Sequence, residues 1–131
     1  MAKRFVDTNK FKKPFIKSLK GSYKLLWEYI NLDCDHAGVW IKDFEVAQIR
    51  IGQDMKINEK EALKVFNNNI ERIIPFDNNE KWFIPSFLKE QYPKGLNNNK
   101  PAIVSVKELL DEYNLLIMVN ELFGNGYLMI N

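Results

Sequence analysis

Within 131 residues there is one cysteine, Cys34, and one histidine, His36, and both fall in the run Asp33-Cys34-Asp35-His36. Thiolate, imidazole and carboxylate side chains placed together could ligate a metal or pair a nucleophile with a base. The spacing argues against both. Side chains of consecutive residues diverge, zinc sites use spaced pairs, and nothing nearby would orient the imidazole toward Cys34. The run reads instead as a turn in which Asp33 or Asp35 accepts from backbone amides, with Cys34 as a small apolar group. Asp111 and Glu112 fall on the solvent side of a helical pattern and make no acid–base pair. Gly124-Asn125-Gly126 lacks the Lys and Ser/Thr of a phosphate loop. No catalytic residue, metal site or cofactor is therefore expected, and the chain reads as non-enzymatic.

The other chemistry available is that of charge. Residues 1–24 hold eight basic groups against Asp7 alone, a net +7, while the rest carry 11 basic and 16 acidic groups, a net −5. A basic arm on a mildly acidic body suits contact with a polyanion. Lysines would hold phosphates as point charges, with affinity falling as salt rises. Phe11 and Phe15 are interleaved with these lysines and could stack on bases, or clasp the arm to the body. Trp27, Trp40 and Trp82 lie in apolar runs and belong to a core.

The elements that position these groups follow from pattern. At 46% apolar residues and this length, one domain with a real core is expected. A single cysteine permits no intrachain disulfide, which fits a reducing, cytoplasmic setting; no secretory leader or membrane span is read, and no membrane contact is expected. Residues 1–22 form the basic arm with a short helix opened by Pro14. Residues 23–92 form the core unit. It begins with a helix over 23–33 capped by Ser22, with Tyr23, Leu26, Trp27 and Ile30 on one face and Leu25, Tyr29 and Leu32 on a second. Val39-Trp40-Ile41 follows as a short strand. Asp43 caps a second helix that stops at Gly52, and Asn58 with Glu61 starts a third that Asn67-Asn68-Asn69 closes. Ile70–Phe76 and Lys81–Phe87 read as a hairpin, kept short or open-edged by Pro75 and Pro85. Residues 93–131 add a loop, a helix opened by Pro101 and built on Val106, Leu109, Leu110 and Tyr113, and a tail. The tail reads as a second hairpin around Gly124-Asn125-Gly126, or as an extension of the helix through Leu115–Val119.

The class is thus mainly α with a small β component. The order helix, strand, helix, helix, hairpin is that of a winged helix-turn-helix, whose third helix can enter a major groove beside the hairpin wing. The stretches Tyr23–Ile30, Cys34-Asp35-His36-Ala37-Gly38-Val39-Trp40, Asp43–Ala47 and Lys81–Phe87 also resemble the N-terminal winged-helix domain of phage replication-initiation proteins, the replisome organisers related to DnaD-type primosomal proteins. That resemblance spans roughly residues 5–116. It implies binding of DNA at a replication origin, self-association, and delivery of helicase-loading partners, with other replication proteins as candidate partners.

On this reading, double-stranded DNA would meet Lys10, Lys12, Lys13, Lys17 and Lys20 of the arm and Lys60, Lys64, Asn67 and Asn68 of the third helix. An Asn at that position can pair with an adenine edge or simply close the helix. The third helix is not basic, since Glu59 and Glu61 balance Lys60 and Lys64, and the hairpin tip carries Asp77 and Glu80. These features, with the two-faced first helix and the apolar tail, motivate a rival reading. It is a protein-interaction or self-assembling module, such as a homodimer, that touches DNA little or not at all.

Overall fold

The computed structural model describes residues 3–129. The helices are α1 (Pro14–Ser18), α2 (Gly21–Asp33), α3 (Phe44–Ile51), α4 (Glu59–Phe66), α5 (Pro85–Gln91), α6 (Pro101–Glu112) and α7 (Leu116–Phe123). The strands are β1 (Val39–Ile41), β2 (Ile74–Phe76) and β3 (Lys81–Phe83), and single 3-10 turns occupy Lys10–Lys12 and Asn125–Tyr127. The fold is mixed α/β, with helices around one open antiparallel sheet in the order β1-β3-β2.

That sheet lies between two cores. Strand β3 pairs Trp82 with Trp40 and Phe83 with Val39. Successive strand side chains point to opposite faces. Trp40 and Trp82 therefore join Leu26, Trp27, Ile30, Ala47 and Phe66 of α2–α4. Val39 and Phe83 join Leu88, Val106, Leu110 and Val119 of α5–α7 on the other side. Buried indoles need an acceptor for their N–H. Trp40 Nε1 donates to Asp33 Oδ2 at 2.9 Å and Trp82 Nε1 to Asn79 Oδ1 at 3.1 Å.

Backbone chemistry explains the sheet's edges. The bonds Ile84 N to Gly38 O and Lys42 N to Glu80 O turn the even-numbered groups of β3 toward β1. Residues 81 and 83 are left to face β2, so Pro75, opposite Trp82, points its missing donor off the sheet. The β2–β3 turn is left-handed at three of its four residues, with φ of 52°, 55° and 62° at Asp77, Asn78 and Asn79. Asp and Asn are among the few side chains that tolerate this region.

Several local expectations hold. Pro14 and Pro101 open α1 and α6. Asp43 Oδ1 accepts from Val46 N at 3.0 Å, Gly52 ends α3, and Asn58 Oδ1 accepts from Glu61 N at 2.8 Å. The reciprocal half of the Asn58 cap comes from elsewhere, because Asn58 N donates to Tyr23 Oη at 3.2 Å.

Three expectations are corrected. Ser22 is not a cap: α2 starts at Gly21, Lys20 precedes it, and no side chain caps it. The strands of the first hairpin are only Ile74–Phe76 and Lys81–Phe83, and Pro85 opens α5 rather than sitting in a strand. Proline suits the first helical position because no partner is needed there for its nitrogen. The tail is no hairpin. Asn114, at φ 59°, ends α6 with a Leu115 N to Leu110 O bond of 2.8 Å, and the chain re-enters a separate helix, α7. This is a Schellman stop with Asn in the usual glycine position. The tail's last turn then locks onto the body: Gly95, at φ 100°, leaves no room for a Cβ beside Tyr127 O, which accepts from Leu96 N. Tyr127 Oη donates to Tyr92 O at 2.7 Å, at the C-terminal end of α5. Burial raises the Tyr127 pKa.

The left-handed turn generates a stability prediction. Asn78 is exposed and holds its backbone at φ 55°. Asn78→Ala is expected to lower unfolding free energy by about 1 kcal/mol, and Asn78→Gly to leave it equal or higher, in urea titrations.

Candidate nucleic-acid interface

The arm is built onto the body by polar contacts. The Arg4 guanidinium donates to Asn31 O at 3.0 Å and Cys34 O at 2.8 Å, and stacks over Phe87. It completes the C-terminal end of α2, which has no basic residue of its own in its last turn. Gln91 clasps Phe5 from both sides, accepting from its N–H at 2.9 Å and donating to its carbonyl at 2.7 Å. Asp7 N donates to Glu90 Oε1. Phe15 is wedged edge-on against Trp27, at 5.1 Å between ring centroids, and against Phe66 of α4, at 6.4 Å. The clasp reading of Phe15 is the one realised.

The arm's lysines divide into two groups. Lys10 pairs with Glu28 at 2.6 Å and Lys13 with Asp7 at 2.8 Å, and the latter contact raises the Lys13 pKa while lowering that of Asp7. Lys12, Lys17 and Lys20 are exposed and form no ion pair among the described residues. On α4, Lys60 and Lys64 are likewise exposed and form no ion pair among the described residues.

Packing brings the two sources of lysine together. The Phe15–Phe66 contact sets α1 against the C-terminal end of α4. At its other end, Lys20 and Tyr23 share a shallow depression with Lys56, Asn58 and Glu61. Lys20 and Lys56 therefore lie beside the first turn of the helix that carries Lys60 and Lys64, in the same depression as Asp54 and Glu61. Lys56 was not singled out by sequence, since it stands in a loop with no charge run around it. Glu59, in the same first turn of α4, is engaged elsewhere. Lys42, at 2.9 Å, and Asn79 bind its carboxylate and hold its pKa below the usual range.

The two asparagines separate. Asn67 Oδ1 accepts from Arg72 N and Ile73 N, and its Nδ2 donates to Ile73 O, so both ends of its amide are engaged in closing α4. Asn68 is exposed; its backbone carbonyl accepts from Arg72 Nη1, and its side-chain amide makes no hydrogen bond among the described residues. Arg72 also donates to Phe66 O and lies 3.8 Å over the Phe15 ring. It completes α4 as Arg4 completes α2.

The Asp33–His36 run forms the expected turn, and its side chains go four separate ways. Asp33 bonds Trp40, Cys34 meets Arg4, and Asp35 Oδ1 accepts from Ala37 N and Val39 N. His36 Nε2 lies 2.9 Å from Ser105 Oγ. Tyr113 Oη donates to the second Asp35 oxygen at 2.7 Å, tying the turn to α6. Among the described residues, no three metal-ligating side chains converge, and no helix is long and apolar enough to cross a membrane.

Comparison with protein-family models, with curated proteins and with solved structures finds no match.

Cys34 is buried, and that burial pushes its thiol up to about 12 from an ordinary 9.0. Only the thiolate reacts. At pH 8 the folded protein is expected to react with a thiol-directed disulfide reagent roughly a thousandfold more slowly than the urea-unfolded chain. Similar rates in both states would place Cys34 at the surface.

Proposed function

We propose that this protein binds DNA through the face shared by α1 and α4, and that it does so as a winged-helix protein of phage type acting in replication initiation. One observation carries the DNA reading: Lys20 and Lys56 lie beside the first turn of the helix bearing exposed Lys60 and Lys64, and one of the two acidic groups of that turn, Glu59, is already held by Lys42. The order α2-β1-α3-α4-β2-β3, with the sheet arranged β1-β3-β2, supports the winged-helix reading. In that arrangement α4 enters the major groove, the lysines grip phosphates on either side, and Asn68 is the asparagine left to reach a base edge. The hairpin serves as a short wing, its tip tied to the start of α4 by Asn79 and Glu59 at 2.7 Å. Replication initiation rests on the resemblance of residues 5–116 to replisome organisers.

The test is fluorescence anisotropy with labelled duplex DNA from about 50 to 200 mM salt. Reversing Lys17, Lys20, Lys60 and Lys64 to glutamate is expected to weaken binding strongly, and the log–log salt slope should fall by about 0.9 for each lysine that held a phosphate. Binding unchanged by the fourfold reversal would remove this face from the reading.

A second reading, self-assembly, is favoured by the outer face of α2. Leu32 there is 65% exposed and Leu25 is exposed beside it in the helical repeat. Apolar side chains left in solvent on one helix face are what a partner surface would cover. Val119 and Tyr127 are buried in the second core, so removal of the tail would disturb the fold itself. Leu25→Lys with Leu32→Lys is the cleaner variant. Light scattering above 15.5 kDa that the double variant returns to 15.5 kDa is the expected result for assembly through α2. A monomer in both forms would end that reading.

A further inference from the structure

The 3-10 turn at Lys10–Lys12 buries none of its residues, yet it is pinned on every side. Lys10 and Lys13 bridge to Glu28 and Asp7, Asn9 N donates to Asp7 Oδ1 at 2.9 Å, and Lys12 N donates to Asn9 O at 2.9 Å. Upstream the arm is clasped by Gln91, and downstream Phe15 is locked between Trp27 and Arg72. Two rings of the arm stay out in solvent, Phe5 at 77% and Phe11 at 58%, and only Phe11 lies within this lysine-bearing turn.

The charges around that ring are unequal. The carboxylates close to the turn are Asp7, Glu28 and Glu90. Lys13 and Lys10 bind the first two, and the third accepts a backbone N–H from Asp7. Lys12, next to Phe11, and Lys17, on the helix packed against this turn, form no ion pair among the described residues. An exposed aromatic ring on a backbone turn held by polar contacts, with unspent ammonium groups on the same segment, matches an unpaired base with its neighbouring phosphates. A duplex hides its base faces and would use only the lysines.

We propose that Phe11, with Lys12 and Lys17, is a stacking site for single-stranded DNA. The proposal deepens the nucleic-acid reading above and rests on it. The occupant is a single strand of any sequence, because every base offers a π face and the site holds no group placed to read its edges.

The test uses the whole chain with fluorescein-labelled oligothymidylate of about 15 nucleotides and a mixed-sequence duplex of the same length. Phe11→Ala is expected to weaken oligothymidylate binding roughly fivefold or more while leaving duplex binding within about twofold, and Phe11→Trp to restore it. Because the ring is exposed, the alanine variant should melt with the wild type, which keeps a loss of binding attributable to stacking. Phe11→Ala binding oligothymidylate as well as wild type would overturn the proposal, as would an equal loss on both probes. Duplex binding without oligothymidylate binding ends the stacking site alone. Failure of both probes at low salt ends the nucleic-acid reading and this site together.

Discussion

Strand β3 has three residues, and two of them, Trp82 and Phe83, are fully buried on opposite faces. Everything else is arranged around that demand. A strand covered on both sides needs two helical layers, and neither layer closes without it: α2–α4 require Trp82 and Trp40, while α5–α7 require Phe83 and Val39. The last three helices are therefore half of the fold and not an appendage. Removing either ring would cost several kcal/mol through the cavity left behind, and the loss would be felt in both layers because adjacent residues anchor them. The same constraint limits the hairpin, whose strands cannot lengthen freely while α6 covers one face through the Phe76–Tyr113 contact.

Elements governed by local chemistry were legible from sequence. A proline that opens a helix, an Asp or Asn whose side chain accepts from the amide three residues on, and a glycine that ends a helix all act within one turn of chain, so Pro14, Asp43, Asn58, Gly52 and Pro101 mark boundaries correctly. Pro85 misleads because the apolar run Trp82-Phe83-Ile84 fits a strand or a helix equally well. What decides is that Phe87 and Leu88 must reach different cores, a matter of tertiary packing. The tail misleads for the opposite reason. Gly124-Asn125-Gly126 has the composition of a hairpin turn, but the signal that mattered was Asn114, one residue in the left-handed region before Leu115.

The candidate site was legible as a composition and not as a geometry. The excess of lysine before residue 24 is visible at once. Which lysines are spent is not, because the partner of Lys10 is Glu28, on another element. Asn67 and Asn68 look equivalent as letters, yet one is consumed by the backbone at residues 72 and 73. Arg4 and Arg72 counted only as charge. Each finishes a helix, and Arg4 does so from 30 residues away. No periodicity or motif encodes such a partner.

The way the arm is attached sets its dynamics. Phe5 and Gln91 close a loop across 86 residues using hydrogen bonds alone, and the arm before Phe15 contributes no buried side chain to either core among the described residues. A segment fixed by water-replaceable contacts opens locally at a free-energy cost well below that of global unfolding. Residues 3–13 are thus expected to exchange their amides as a unit of their own while the sheet stays closed. Release of Arg4 would fray the end of α2 next to the Asp35 turn, so the beginning of the chain tunes the order of a loop far along it.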